Sequence, residues 1–258
     1  MRKVIHYCWF GGKPLSDTAE KSLASWKRFA PGFELRQWNE GNFDFETCSW
    51  SRDAYAAKMW AFVADYARFK VLYEYGGVYM DVGSELIRDI TPLLDSVPFT
   101  AIEESSLTAT TGLIVAVEPH DPIIGACVAR YESMQFSIDP VFLDKTTVNE
   151  VFTAELETIG FRREDKEQSF GGWRVMDSRA FNPVYGFGGY HIKPCTYSIH
   201  RSSGSWAEPK YRIKRSVVRK CSPFIGRRPA QILGRVLMEV SDGGLIEGSK
   251  RILGVARE

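Results

Sequence analysis

Three residues carry the chemistry first noticed in this 258-residue chain: Asp65 and Arg68, set in an otherwise apolar stretch, and Asp81, which follows the apolar run Val78-Tyr79-Met80. A spacing of three places Asp65 and Arg68 on one face of a helix. Neither charge is cheap to bury alone, so the two must pair or meet a polar ligand. An acid at the carboxyl end of a strand stands where open α/β sheets bind ligands. Gly76-Gly77 lies between, so the chain can fold back and bring Asp81 near the Asp65/Arg68 face. Two carboxylates and a guanidinium together can hold sugar hydroxyls, diphosphate oxygens or a divalent cation. The same residues also suit a plainer arrangement, an ion pair locking helix to sheet with Asp81 as a turn residue.

The elements that must position them read as follows. Val4–Phe10 is a buried strand ending at Gly11-Gly12. Ser16–Ala30 is a helix, with Ser16 as N-cap, acidic Asp17 and Glu20 in the first turn, and Ala19, Leu23 and Trp26 as its apolar stripe. Phe33–Trp38 is the next strand, so the chain begins strand–helix–strand, which predicts a parallel sheet. Asp53–Tyr75 is apolar on nearly every side and reads as one largely buried helix, closed by the glycine pair. Strands are expected at Phe99–Ile102, Leu113–Val117 and Thr196–His200, and helices at Asp121–Gln135 and Thr146–Ile159. Residues 164–190 show no period.

Composition is that of a folded chain, 44% hydrophobic and 25% charged, which excludes disorder and a collagen-like repeat. No apolar run approaches a bilayer span, and the N-terminus lacks the apolar core of a signal peptide, so an intracellular, cytoplasmic protein is expected. The five cysteines are scattered without C-x-x-C spacing, which indicates neither a zinc site nor a disulfide framework. The net charge of +1 hides an asymmetry: residues 209–258 hold 12 Lys/Arg against 4 Asp/Glu. Apolar residues such as Phe224, Ile225, Ile232 and Leu233 are interleaved with that charge. The pattern suits an anionic membrane surface contacted through residues 210–258, or docking on an acidic body. Nucleic acid is not expected, because no stacking motif or recognition helix accompanies the charge.

Three ordered blocks, Ile5-His6-Tyr7-Cys8-Trp9-Phe10-Gly11-Gly12, Ala61-Phe62-Val63-Ala64-Asp65-Tyr66-Ala67-Arg68 and Tyr73-Glu74-Tyr75-Gly76-Gly77-Val78-Tyr79-Met80-Asp81, resemble the sugar-binding-motif glycosyltransferases of family thirty-two. These include capsular and exopolysaccharide enzymes and share distant features with clostridial glucosylating toxin domains. The resemblance implies an α/β, GT-A type, Rossmann-like nucleotide-sugar-binding domain with a mainly parallel sheet over residues 1–208. Residues 209–258 would form a basic helical appendage. It implies a retaining hexosyltransferase that takes a UDP-sugar donor and passes a hexose or N-acetylhexosamine to a glycan, with a lipid-linked oligosaccharide fitting the basic tail. By the same resemblance Trp9 stacks on uracil beside Tyr7 and the Gly11-Gly12 loop, and Asn39 ends the second strand near the base. Asp65 and Arg68 grip the donor sugar. Asp81 meets ribose and metal-bound diphosphate, and His200, Ser205 and Trp206 close over the diphosphate.

One departure stands out. The family motif is Asp-x-Asp, and here it reads Asp81-Val82-Gly83-Ser84-Glu85, with glycine at the second carboxylate. A Mn²⁺ or Mg²⁺ ion would then depend on Asp81, His200 and diphosphate oxygens, with Glu85 as a further candidate. Metal-independent transfer and a catalytically silent sugar-binding module remain open alternatives.

Overall fold

The computed structural model describes residues 1–138, 147–183 and 190–201, and, further on, 217, 218, 220, 221, 224–226, 229, 230 and 232–237. The chain divides into two units, residues 1–183 with 192–202, and residues 184–191 with 203–258.

The first unit is built on one mixed sheet. Its strands are β1 (Val4–Cys8), β2 (Glu34–Trp38), β3 (Gly77–Tyr79), β5 (Phe99–Glu103), β7 (Val115–Val117), β8 (Gln168–Phe170) and β9 (Trp173–Met176). They lie in the order β2-β1-β3-β7-β5-β9-β8, with the two-residue β6 (Thr108–Ala109) on β5. β1 pairs parallel with β2 and β3, and β5 with β9, while β7 is antiparallel to both its neighbours and β8 to β9. Five strands therefore run one way and β7 and β8 the other, the mainly parallel α/β sheet expected. A separate antiparallel pair joins β4 (Ser84–Leu86) to β10 (Ser198–His200).

Helices cover both faces. They are α1 (Asp17–Phe29), α2 (Ser49–Ala56), α3 (Trp60–Tyr75), α4 (Pro122–Ser133), α5 (Val148–Glu157) and the short α6 (Ser178–Phe181). Val63, Tyr66, Phe69 and Leu72 of α3 pack with Tyr131 of α4, Phe152 of α5 and Tyr79 of β3. Trp26 of α1 packs with Ile5, Val78, Met80 and Phe99 in the other core. Tyr79 thus faces α3 while Val78 and Met80 face α1, the period-two alternation of a strand. It carries the next residue in step with Tyr79, Asp81, toward the α3 side. Ser16 caps α1 as expected, its Oγ accepting from Ala19 N at 3.2 Å.

Two expectations are corrected. The single helix over Asp53–Tyr75 is two helices, broken at residues 57–59, where Lys58 takes φ +58°. The turn lets the fully buried Trp50 donate its indole N–H to Phe62 O at 3.0 Å. In a continuous rod those twelve residues would span about 18 Å. The segment without a period contains the β8–β9 hairpin, turned by Gly171 and Gly172 at φ +51° and +82°. Two positive φ values are what a tight two-residue hairpin turn requires.

Candidate functional site

The site gathers at the carboxyl end of β3. Arg68, from the third turn of α3, is its hub. Nη2 donates to Asp65 Oδ1 at 2.9 Å, and Nη1 donates to Thr111 Oγ1 at 3.0 Å and stands 3.3 Å from Asp81 Oδ1. Nε donates back to Ala64 O at 3.1 Å. The guanidinium carbon lies 4.9 Å from the centre of the Tyr79 ring, and the Tyr79 hydroxyl donates to Asp81 Oδ1 at 3.0 Å. A guanidinium is planar, always charged and donates in a fixed fork, so it can hold two carboxylates and an aromatic face at once.

Burial separates the two acids. Asp65 and Arg68 side chains are 10% and 6% exposed, whereas that of Asp81 is 35% exposed and is the carboxylate that opens outward. Desolvation pushes Asp65 up to about 7, against the pull of Arg68 and with the help of Asp81's charge. Burial also works against the charge on Arg68, but Asp81, Tyr79 and Asp65 outweigh it and hold the guanidinium protonated. The Cys8 thiol, behind the cluster, is driven up to about 12 by burial despite Arg68. Near neutral pH the group therefore offers one fixed cation, one open carboxylate and one acid poised between donor and acceptor. That combination can orient hydroxyl groups, which need both.

The loop before β7 completes the floor. Asp81 N donates to Gly112 O at 3.0 Å, and Ser84 Oγ donates to the same oxygen at 2.7 Å. A Cβ on Gly112 would overlap Asp81 Oδ2, so only glycine leaves room for the carboxylate here. Thr111 N donates to Asn149 Oδ1 at 3.3 Å, which ties the loop to α5. Sequence reasoning missed Tyr79, Thr111, Gly112 and Asn149. Tyr79 had a signal, since it shares a strand face with Asp81; the others arrive from 30 or more residues downstream with no local pattern.

A second cluster stands at the ends of β1 and β2. Trp9 N extends the ladder by donating to Trp38 O at 2.9 Å, and its indole donates to Lys13 O at 2.6 Å, leaving the ring half-buried. Gly11 N donates to Glu40 Oε1 at 2.5 Å, and a Cβ on Gly11, at φ +95°, would lie 2.6 Å from Trp60 Nε1. Gly12 follows at φ +65° with open space around it. Asn39 sits in the turn after β2, its Oδ1 accepting from Gly41 N at 2.9 Å. Tyr7 goes elsewhere: it is 6% exposed, packs edge-on to Trp26 with the α1 core, and donates to Gln37 Oε1 at 3.2 Å. The structure thus joins Asp65, Arg68 and Asp81 in one network, places Trp9, Gly11, Gly12 and Asn39 at neighbouring strand ends, and puts Tyr7 in packing. Ser205 and Trp206 lie outside the described residues.

The divalent ion has two candidate donors. β10 runs beside β4 so that a Cβ on Gly83 would stand only 3.1 Å from His200 Nε2, and the glycine lets the imidazole pack closely against the turn after Asp81. Glu85 is engaged instead by Arg201, whose Nε donates to Oε2 at 2.6 Å. Among the described residues no group of three or more His, Cys, Asp or Glu gathers as a metal site. One carboxylate and one imidazole are two donors, short of the full ligand shell a hard divalent ion takes, so an ion held there would need further oxygen ligands from outside these two residues.

Residues 16–100, about a third of the chain, match the family described as glycosyltransferase sugar-binding region containing the DXD motif. The matched stretch contains Asp65, Arg68 and Asp81, and the residue two past Asp81 is Gly83, not an acid. Solved structures similar to this chain include the following three. The PaToxG glycosyltransferase is 18% identical, over 61% of this chain and 69% of that one, with a TM-score of 0.47. A glycosyltransferase involved in glycosylation of the major capsid of PBCV-1 is 14% identical, over 79% and 94%, with a TM-score of 0.44. The galactosyltransferase LgtC, solved with donor and acceptor sugar analogues, is 15% identical, over 90% and 95%, with a TM-score of 0.43. A comparison with curated proteins finds no match.

Proposed function

From a chain whose residues 16–100 are of the glycosyltransferase sugar-binding type, we propose a retaining glycosyltransferase that moves a hexose or N-acetylhexosamine from a UDP-sugar to a glycan acceptor. The observation that carries this is the Arg68 hub, which holds a buried acid, an open acid and an aromatic face together at a strand end. Asp65 and Arg68 fix the donor sugar by its hydroxyls, and Asp81 lies where the sugar meets its diphosphate. With the sugar so held, the acceptor hydroxyl attacks the face that UDP leaves. Trp9 and the Gly11-Gly12 loop provide a surface for the base, and Ser205 and Trp206 donate to the diphosphate as charge builds on it. A bound Mn²⁺ or Mg²⁺, held by Asp81 and His200, would supply Lewis-acid stabilisation of that charge.

Asp81→Ala tests the assignment. UDP-sugar turnover should vanish while the protein stays folded, as a cooperative thermal transition would show; turnover at the parental rate would refute it. Gly83 favours a second reading, a silent nucleotide-sugar- or glycan-binding module, which predicts saturable binding with neither hydrolysis nor transfer, with or without EDTA.

The proposal extends to setting. A role in surface polysaccharide synthesis at the inner face of the plasma membrane, with a lipid-linked oligosaccharide acceptor, accords with the basic charge of residues 209–258. Described side chains there include exposed Phe224, Ile225, Ile232, Leu233 and Leu237 beside exposed Lys220 and Arg235. Among the described residues no helix is long and apolar enough to cross a membrane, so contact would be peripheral. Removing residues 210–258 should abolish sedimentation with anionic vesicles; unchanged sedimentation would exclude this anchor.

A further inference from the structure

At the opposite, amino ends of β1 and β2 the sheet carries a pocket of about 350 Å³, lined by Arg2, Lys3, Glu34 and Arg36, with His6 and Tyr75 behind. None of its lining residues belongs to the Asp65–Arg68–Asp81 network, so this pocket is distinct from that cluster. Its central cation is pre-set. The Arg36 guanidinium carbon lies 4.5 Å from the centre of the Trp38 ring and 4.8 Å from that of Tyr75, and those two rings stack on each other at 5.3 Å. A guanidinium laid on aromatic faces keeps its N–H fork free to receive an anion and has little freedom left to lose. Among the described residues none of Arg2, Lys3 and Arg36 forms an ion pair, although salt bridges occur widely elsewhere on the molecule.

The charges can be counted. Three cations face one carboxylate, Glu34. His6 adds none: the Trp38 indole can only donate, so Nδ1 accepts at 3.0 Å, and the proton on Nε2 is donated to Gly76 O at 2.9 Å. Buried and doubly bonded, this imidazole is held neutral, with desolvation lowering it to about 4. The remainder is two positive charges. A phosphomonoester carries about −1.5 to −2 near pH 7 and presents three acceptor oxygens. Di- and triphosphates carry more charge than the pocket can balance, and Glu34 repels the excess. The same carboxylate is an acceptor for a hydroxyl on the rest of the ligand, and the volume falls at the small end of the ~300–1,000 Å³ typical of ligand pockets.

We propose that this pocket binds a small hydroxylated phosphomonoester, of which a hexose phosphate is the type, at the end of the sheet away from the Asp65–Arg68–Asp81 cluster. The site does not depend on the glycosyltransferase reading.

Calorimetric titration of the full chain with glucose 6-phosphate tests it, in the parent, in Arg36→Met and in the double variant Arg2→Ser/Lys3→Ser. The double variant removes only exposed side chains, so its fold is not at risk. Saturable binding, weakened at least tenfold in both variants and undisturbed by excess UDP, is the expected result. Equal affinity in parent and double variant, displacement by UDP, or no saturable binding in the millimolar range would overturn the proposal. A parallel arm with phosphatidic acid vesicles identifies the source of the phosphate. Vesicle capture lost in the double variant assigns it to a lipid headgroup, and capture equal in parent and double variant while titration is lost in the double variant assigns it to a soluble ester.

Discussion

The substitution Asp65→Asn separates the charge of the site from its shape. Asn keeps an oxygen toward Arg68 Nη2 and removes the proton equilibrium. In the parent, burial raises Asp65 from an ordinary 3.8 to about 7. A raised carboxyl stabilises the fold fully below pH 3.8, and that stability is lost as pH rises through 7. Each pKa unit is worth about 1.4 kcal/mol, so Asp65 should cost the parent about 2.5 kcal/mol more at pH 8 than at pH 5. Asn carries a pH-independent penalty, about 1 kcal/mol, because its NH2 group replaces the acid's second oxygen in a buried site. Urea unfolding of both proteins at several pH values between 5 and 9 measures the difference. The variant should be the less stable at pH 5 and should gain on the parent by about 2.5 kcal/mol by pH 8. A difference that stays flat across the range would mean that Arg68 keeps Asp65 ionised throughout, and would refute the poised-acid argument.

Other consequences can be checked in the same way. His6 is lowered to about 4 from 6.5, so it contributes about 3 kcal/mol that is present above pH 6.5 and lost as pH falls through 4; His6→Gln should flatten the acid limb of the stability curve, and an unchanged limb would contradict the buried neutral tautomer. Gly112→Ala should push the Asp81 carboxylate aside, lowering donor affinity at least tenfold with little change in melting temperature, as titration with UDP-sugar would read. Gly11→Ala combines a positive φ with a clash against Trp60 and should cost about 1–3 kcal/mol in urea unfolding.

Much of the frame was legible because its signals are local. The Ser16 cap, the acidic first turn that follows it and the strand–helix–strand rhythm each sit within a few residues of the element they define. Asp65 and Arg68 stood out as paired charges on an apolar helix, and the glycine pair announced the return to Asp81. What escaped was non-local. The break between α2 and α3 has no proline or glycine to mark it; it exists because Trp50 packs back on Phe62. Gly171-Gly172 was a readable turn signal, hidden in a charged segment whose strands are only three and four residues long. Tyr7 and Trp9 looked equivalent as aromatics at a strand end, but alternation sends Tyr7 into the α1 core while Trp9 lies past the last strand residue. Thr111 reaches Arg68, and Asn149 reaches Thr111, through tertiary folding alone.

The central claim is that the Arg68 hub is half of a nucleotide-sugar pocket. Thermal shift of the parent chain with UDP-, GDP- and dTDP-sugars, each with and without Mn²⁺, tests it most directly. The account predicts that a UDP-sugar raises the melting temperature above all others and that the rise disappears in Asp81→Ala. No shift with any nucleotide sugar in either condition would contradict it.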